Sequence, residues 1–320
     1  MVRRLRSTLA ALVLLLAATV AGVQAAQPAM AASWLYPNPS IAVSSNGDRW
    51  VFWQGTNGGL WEAYYNGSWH GPTGISQMGT LGSVPTVAVI GGNPYVVWKG
   101  TDGHLWLGYW NSGWHGPYNL GMGTLGTRPS IMADQQGELA VVWRGTDNNL
   151  WEAYSTQSPP SGSGWSGPHN LGDGPLGSSP SATGSVAGQY VDAGWTGTAP
   201  QRDLWWHQGN GIFKSLGMGP LNSPPSIVDV GMDTYVGFWG GTDYNLWYGQ
   251  WQYNINTGTS VKAWGKIGLG PLGGAPSAAF DGHAYYVVWK GTNAGLWEGT
   301  CNLNGACWSL NQVPGMGPLG

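Results

Sequence analysis

The chain has 320 residues, 22 of them Trp and 55 Gly, while Asp, Glu, Lys and Arg together make up only 8% and the formal net charge is -3. So few basic residues leave no electrostatic footprint for nucleic acid or an anionic membrane surface, and so much aromatic mass excludes a disordered chain. Solubility must rest on glycine and uncharged polar residues.

The chain opens with Met1-Val-Arg3-Arg4-Leu-Arg6, an apolar run from Leu9 to Val23, and small residues around Ala25 and Ala31. A basic head, a short apolar stretch and an Ala-x-Ala-like site mark a secretory signal. The run is short for a bilayer span and no second one follows, so membrane insertion is not expected. Residues 1–32 are read as a signal peptide and short leader of a secreted, extracellular protein, cut between Ala25 and Ala32. Losing Arg3, Arg4 and Arg6 leaves nine basic residues against fifteen acidic ones, a formal charge of -6.

Residues 33–320 are read as a single domain in which one unit recurs six times, over 39–84, 85–128, 129–179, 180–224, 225–275 and 276–320. Each unit begins at a Pro-Ser or Pro-Thr step, at Pro39, Pro85, Pro129, Pro180, Pro225 and Pro276. A β-branched and aromatic run then ends in Trp-x-Gly-Thr, at Trp53, Trp98, Trp143, Trp195, Trp239 and Trp289. A Leu-Trp pair follows, at Trp61, Trp106, Trp151, Trp205, Trp247 and Trp297. A third Trp comes next in five units, with Phe213 near that place in the fourth, and a Gly-rich link such as Gly121-Met-Gly-Thr-Leu-Gly126 closes the unit.

In the second unit Thr86–Ile90, Tyr95–Trp98, Leu105–Trp110 and a segment from Trp114 read as four strands, parted by Gly, Asn and Asp turns that leave no room for helices. The second strand is apolar on consecutive residues, as in Ala284-Tyr-Tyr-Val-Val-Trp289, which places both of its faces between neighbouring sheets. The expected fold is therefore all-β: a six-bladed β-propeller, four antiparallel strands per blade, around a central channel. A linear solenoid would need atypical capping units, and the first and last units are ordinary. Ser33-Trp34-Leu35-Tyr36 is expected to lend a strand to the last unit. Cys301 and Cys307 flank an Asn-Gly turn, which in an exported chain reads as a local disulfide across a hairpin. Two Cys without neighbouring His make no zinc shell, and neither a metal nor a cofactor is expected.

The string Val96-Val-Trp98-Lys-Gly-Thr-Asp102-Gly-His-Leu-Trp106, with a closing Trp before Leu-Gly, resembles the PLL-like β-propeller lectins and, more distantly, the six-bladed fucose-specific lectins. That resemblance implies a propeller whose inter-blade pockets hold fucose or O-methylated sugars by an aromatic platform and polar side chains. The chain departs from the fungal fucose lectins in lacking a regularly repeated Arg, since only Arg49, Arg128, Arg144 and Arg202 follow the leader.

A sugar pocket needs an aromatic ring against the apolar face of the pyranose and a few groups to fix its hydroxyls. Candidate platforms are the Leu-Trp tryptophans Trp61, Trp106, Trp151, Trp205, Trp247 and Trp297. Candidate hydroxyl binders are Glu62, Glu152 and Glu298, which directly follow three of them; Leu107, Trp206 and Tyr248 stand there in the other units. If Asn57-Gly58-Gly59 forms a three-residue hairpin loop, then Gln54 lies opposite Glu62, Arg144 opposite Glu152 and Lys290 opposite Glu298. One reading makes these cross-strand pairs on an exposed face beside blade-packing indoles; the other has acid and base clamp sugar hydroxyls beside the Trp. The Trp-x-Gly-Thr indoles read as core, and Asn57, Asp102, Asp147, Asp243 and Asn293 as turn residues bonded to their own backbone. Ser-His-Asp, Cys-His and phosphate-loop motifs are missing.

The expected function is thus a non-catalytic, multivalent lectin with glycans or glycoconjugates as partners, its oligomeric state left open. The alternatives are an extracellular protein-interaction or envelope scaffold whose Trp are all structural and, less favoured, a propeller glycoside hydrolase. Half-open Leu-Trp rings in grooves beside Glu or Asp would mark the lectin, buried rings the scaffold, and one deep pocket with a carboxylate pair the hydrolase.

Overall fold

Runs of β-branched and aromatic residues between Gly- and Asn-rich turns fold into six four-stranded antiparallel sheets, each built from consecutive strands. The structure, a computed structural model, describes residues 38–320 except 135, 185–190, 210, 255, 303–306, 317, 318 and 320. The leader and the segment Ser33-Trp34-Leu35-Tyr36 lie outside the described residues. Blade 1 consists of Ser40–Val43, Arg49–Gln54, Leu60–Tyr65 and Trp69–Gly74. Blades 2 to 6 repeat that order, beginning with Thr86–Ile90, Ser130–Ala133, Ser181–Gly184, Ser226–Gly231 and Ser277–Phe280.

These first strands stand side by side around a central channel, with that of blade 6 next to that of blade 1, so the ring is closed. The Pro-Ser step that opens a repeat is what joins the hub. Ser40 Oγ accepts the Val87 N–H at 3.1 Å, Ser130 that of Ala182 at 2.9 Å, Ser181 that of Ile227 at 2.9 Å and Ser226 that of Ala278 at 2.9 Å. Ser277 completes the set by accepting the Ile41 N–H at 3.1 Å, 236 residues away in sequence. Each hydroxyl satisfies a backbone donor of the next blade that a gap between sheets would otherwise leave unpaired. Blade 2 carries Thr86 at this place, and its hydroxyl donates to the Pro129 carbonyl instead.

The core is divided among the six junctions, each cluster drawing side chains from two neighbouring blades. All six Trp-x-Gly-Thr indoles are buried there. The Leu-Gly of four links ties one blade to the next: a Cβ on Gly82, Gly126, Gly177 or Gly273 would lie 2.2–2.5 Å from the carbonyl of the following Trp-x-Gly. The fourth strands are outer edges, half-buried or exposed throughout their described residues, and they tolerate Pro72, Pro117 and Pro168 because an edge strand has donors to spare. In blade 6 a Cys301–Cys307 disulfide joins paired residues of the third and fourth strands.

Candidate inter-blade binding grooves

The Leu-Trp indole is held by its own hairpin. Gly55 and its counterparts Gly100, Gly145, Gly197, Gly241 and Gly291 lie under the ring, where an added Cβ would sit 2.3–2.5 Å from the indole nitrogen, so only glycine fits. The turn residue four positions before the Trp accepts the indole N–H. Asn57, Asp102, Asp147, Asp243 and Asn293 do so for Trp61, Trp106, Trp151, Trp247 and Trp297 at 2.9–3.1 Å. They also cap their own turns through the N–H two residues on, so the backbone role expected of them is half of what they do. Trp205 has Gln201 at that position and instead lies against the Phe213 ring at 4.9 Å. All six Leu-Trp rings are half-exposed.

Further polar groups gather around several of them. Asn119 donates to Asp102 at 3.0 Å beside Trp106, and Asn149 and Asn170 donate to Asp147 at 2.9 and 3.1 Å beside Trp151. The Trp151 indole N–H and the Asn149 donors hold the Asp147 carboxyl below its usual range. Burial pushes Asp243 up, yet the Trp247 indole and Lys266, 2.9 Å away, bring it down to about 2.

The expected pairing of Glu62 with Gln54, Glu152 with Arg144 and Glu298 with Lys290 is not what forms. Glu62 pairs with Phe52, Glu152 with Val142 and Glu298 with Val288, while Gln54, Arg144 and Lys290 face Leu60, Leu150 and Leu296. The hairpin loop is Thr56-Asn57-Gly58, closed by the Gly55 N–H on the Gly59 carbonyl, one residue earlier than the expected loop. Such a shift moves every partner by two. Gln54 and Arg144 donate instead to the Leu81 and Leu176 carbonyls of the Leu-Gly links.

Adjacent strand residues point to opposite faces, so Trp61 and Glu62 cannot share a pocket. Each groove combines the acid position of one blade with the Leu-Trp indole of the next. In groove 1/2, Glu62 meets Trp114 of blade 2, and Trp106 packs into the same junction. Burial lifts its carboxyl to about 7, only partly offset by the Trp114 indole N–H, which approaches it without closing a well-aligned hydrogen bond. In groove 6/1, Glu298 is 3.1 Å from Arg49 of blade 1. That guanidinium lies over Tyr65 at 3.8 Å and Tyr286 at 4.6 Å, and both ends of the ion pair are buried. Arg49 is the partner that sequence reading missed. Its signal is its place four residues before Trp53, where the other blades carry Pro94, Leu139, Val191, Tyr235 and Tyr285.

Groove 3/4 differs again. Burial raises the Glu152 carboxyl, opposed by His169 and by His207 of blade 4. His207 Nδ1 is hydrogen-bonded to Asp173 of the preceding link. In every other blade the position of His207 is Ala or Gly and that of Asp173 is Met or Leu, as where Met78 covers Gly108 and Met218 covers Gly249. An apolar lid on a small residue has become an acid on an imidazole. Grooves 2/3, 4/5 and 5/6 carry Leu107, Trp206 and Tyr248 at the acid position, and in 4/5 Trp206, Tyr235 and Trp251 fill the space.

No family model and no curated sequence matches the chain. Among solved structures it is similar to AofleA from Arthrobotrys oligospora, with TM-score 0.67 and 15% identity over 88% of this chain and 87% of that one. It is similar to the Aleuria aurantia lectin, described as a six-bladed β-propeller with a novel fucose recognition mode, at TM-score 0.62 and 18% identity over 88% and 97%. BP39L lectin from Burkholderia pseudomallei gives TM-score 0.58 and 17% identity over 87% and 84%. At such identities the likeness shows a shared six-bladed propeller fold.

Proposed function

We propose that the chain is a secreted, non-catalytic lectin that holds glycans in several of its inter-blade grooves, with the Leu-Trp indoles as stacking platforms. The observation that carries this reading is the indole itself: half-open, fixed by an Asx acceptor and a glycine beneath it, and ringed by amide and carboxylate groups. A ring used only for packing has no need of an exposed face. Trp106 with Asp102 and Asn119, in the junction that also holds Glu62, and Trp151 with Asp147, Asn149 and Asn170 have the fullest polar surround.

A fucose-like sugar is the first ligand to try, because its methyl group and apolar ring face suit an indole and because the named structural neighbour from Aleuria aurantia recognises fucose. Several weak sites on one rigid ring would give avidity for a glycan-coated surface. The groove filled by Trp206 and Trp251 is what a purely structural scaffold would require at every junction, whereas Glu62, Glu152 and Glu298 stand at the place of Trp206 in three others.

The test is a glycan array read with the processed protein and with the folded Trp106→Ala/Trp151→Ala variant. Retention of fucosylated glycans that falls at least tenfold in the variant is expected. An array on which the wild type captures no glycan, or on which both proteins bind alike, removes the reading.

A further inference from the structure

The central channel is polarised. One end is a cavity of about 360 Å³ whose lining includes Asp134 and Asp229. The other is a chamber of about 70 Å³, the space of two or three waters, ringed by the first residues of all six inner strands and by Arg128. Arg128 precedes Pro129 and is six residues from Asp134 along an extended strand, roughly 20 Å away, so the channel acids do not neutralise it.

Arg128 differs from every other described arginine. Arg49 pairs with Glu298, Arg144 donates to the Leu176 carbonyl and Arg202 to Asn222. Arg128 is half-buried, and no carboxylate, carbonyl or hydroxyl among the described residues accepts from its side chain; the surrounding protein brings its pKa down to about 10. A half-buried guanidinium that no protein group pairs has donors free for an anion in the chamber it lines.

The spoke serines point the same way. Each hydroxyl has one proton to give and two lone pairs. One lone pair takes the N–H of the next blade, and no described residue accepts the proton. Five unspent O–H donors and one cation therefore border a single chamber that has no acid in its lining. The ring symmetry breaks beside Arg128, where the Thr86 hydroxyl turns to the Pro129 carbonyl and leaves the set.

We infer that this end of the channel is a binding site for a small free oxyanion of the sulfate or phosphate class, held by Arg128 and the spoke serines. An anion so placed would bridge blades through their hydroxyls and bind only the closed ring. It is independent of the grooves, so glycan binding can fail while this site stands, and the reverse.

The test uses the processed protein. Thermal unfolding is followed in sodium sulfate and in sodium chloride at matched ionic strength, for wild type and Arg128→Gln. Sulfate stabilises proteins generally in a non-saturating way, whereas a site adds a saturable rise in Tm. The saturable component is expected in wild type, with its midpoint moved at least tenfold in Arg128→Gln. In parallel, wild-type crystals soaked in selenate should show an anomalous peak in the chamber, a readout that does not depend on the variant folding. A saturable response of equal midpoint in both proteins, or an empty chamber at saturating selenate, overturns the proposal.

Discussion

Grooves 3/4 and 4/5 flank the same blade and are built on the same strand pairing, yet one is polar and the other is closed by rings. Groove 3/4 holds Glu152, His169, Asp173 and His207. Groove 4/5 holds Trp206 and Trp251, both at 0% exposure, with Tyr235. A Gly at 237, where the other blades have Val or Ala, leaves room for the Trp251 ring, since a Cβ there would lie 3.2 Å from it. Even the carboxylate buried there, Asp192, is spoken for by the Tyr235 hydroxyl at 2.6 Å and the Gly209 N–H at 2.9 Å. The blade is thus indifferent to what fills its flank, provided that each substitution is answered by its neighbour across the junction.

The largest expected effect lies in the dry groove. Trp206→Ala should cost about 3–5 kcal/mol, because the void cannot collapse between two rigid sheets, and should leave glycan binding unchanged. Urea denaturation beside a binding assay checks both halves; a loss under 1 kcal/mol would mean that the groove is not packed as described.

The polar groove supplies the converse. Asp173→Met alone strands a buried imidazole and should cost about 2 kcal/mol, whereas Asp173→Met with His207→Ala restores the lid of the other junctions and should be close to neutral. Additive losses in this double-mutant cycle would break the claim that the two residues answer each other.

Glu62 gives a pH-dependent contrast. Its folded-state pKa of about 7 lies above the ordinary carboxylate value, so folding favours the protonated form. The charged form therefore weakens the fold by an amount that is absent below about pH 4.5, grows through that window and is complete above pH 7. Glu62→Gln should stabilise the protein by about 2 kcal/mol at pH 8, allowing for solvent screening, and by nothing at pH 4. Equal unfolding midpoints for variant and wild type at pH 8 would refute it.

The smallest stability effect should accompany a large functional one. Asp147→Ala removes the acceptor of the Trp151 indole N–H and of the Asn149 and Asn170 donors, but at an exposed turn where water replaces it, and should cost about 1 kcal/mol. A freed indole should weaken glycan binding severalfold at that groove, measured by titration with a monovalent sugar.

Much of this was open to reading in advance. The six units, the four strands of each, the buried Trp-x-Gly-Thr indoles and the Cys301–Cys307 bridge follow from periodicity, turn chemistry and spacing. What escaped was register and facing. Asn57 serves both the Gly59 N–H and the Trp61 indole, which starts the loop at Thr56 and slides Gln54 away from Glu62. Strand alternation then sends Glu62 to one junction and Trp61 to another, so residues adjacent in sequence belong to different sites. The exchange of Met and Ala for Asp173 and His207 was visible on aligning the units, but only the structure shows that two positions 34 residues apart meet. Nor does a repeated Pro-Ser reveal that its hydroxyl reaches the next blade.

Those hydroxyls carry a consequence for how the molecule could be re-cut. Every described strand of a blade is local to one repeat, and the 6/1 junction is fastened by the same serine device as four others, with no described strand traded between first and last blade. Among the described residues, nothing in the hub therefore privileges that junction as the place where the polypeptide must be interrupted. A circular permutant opened at another Gly-rich link, with 38 and 319 joined by a short tether, should assemble the same wheel, and the order of blades along the gene is then a historical matter rather than a physical one.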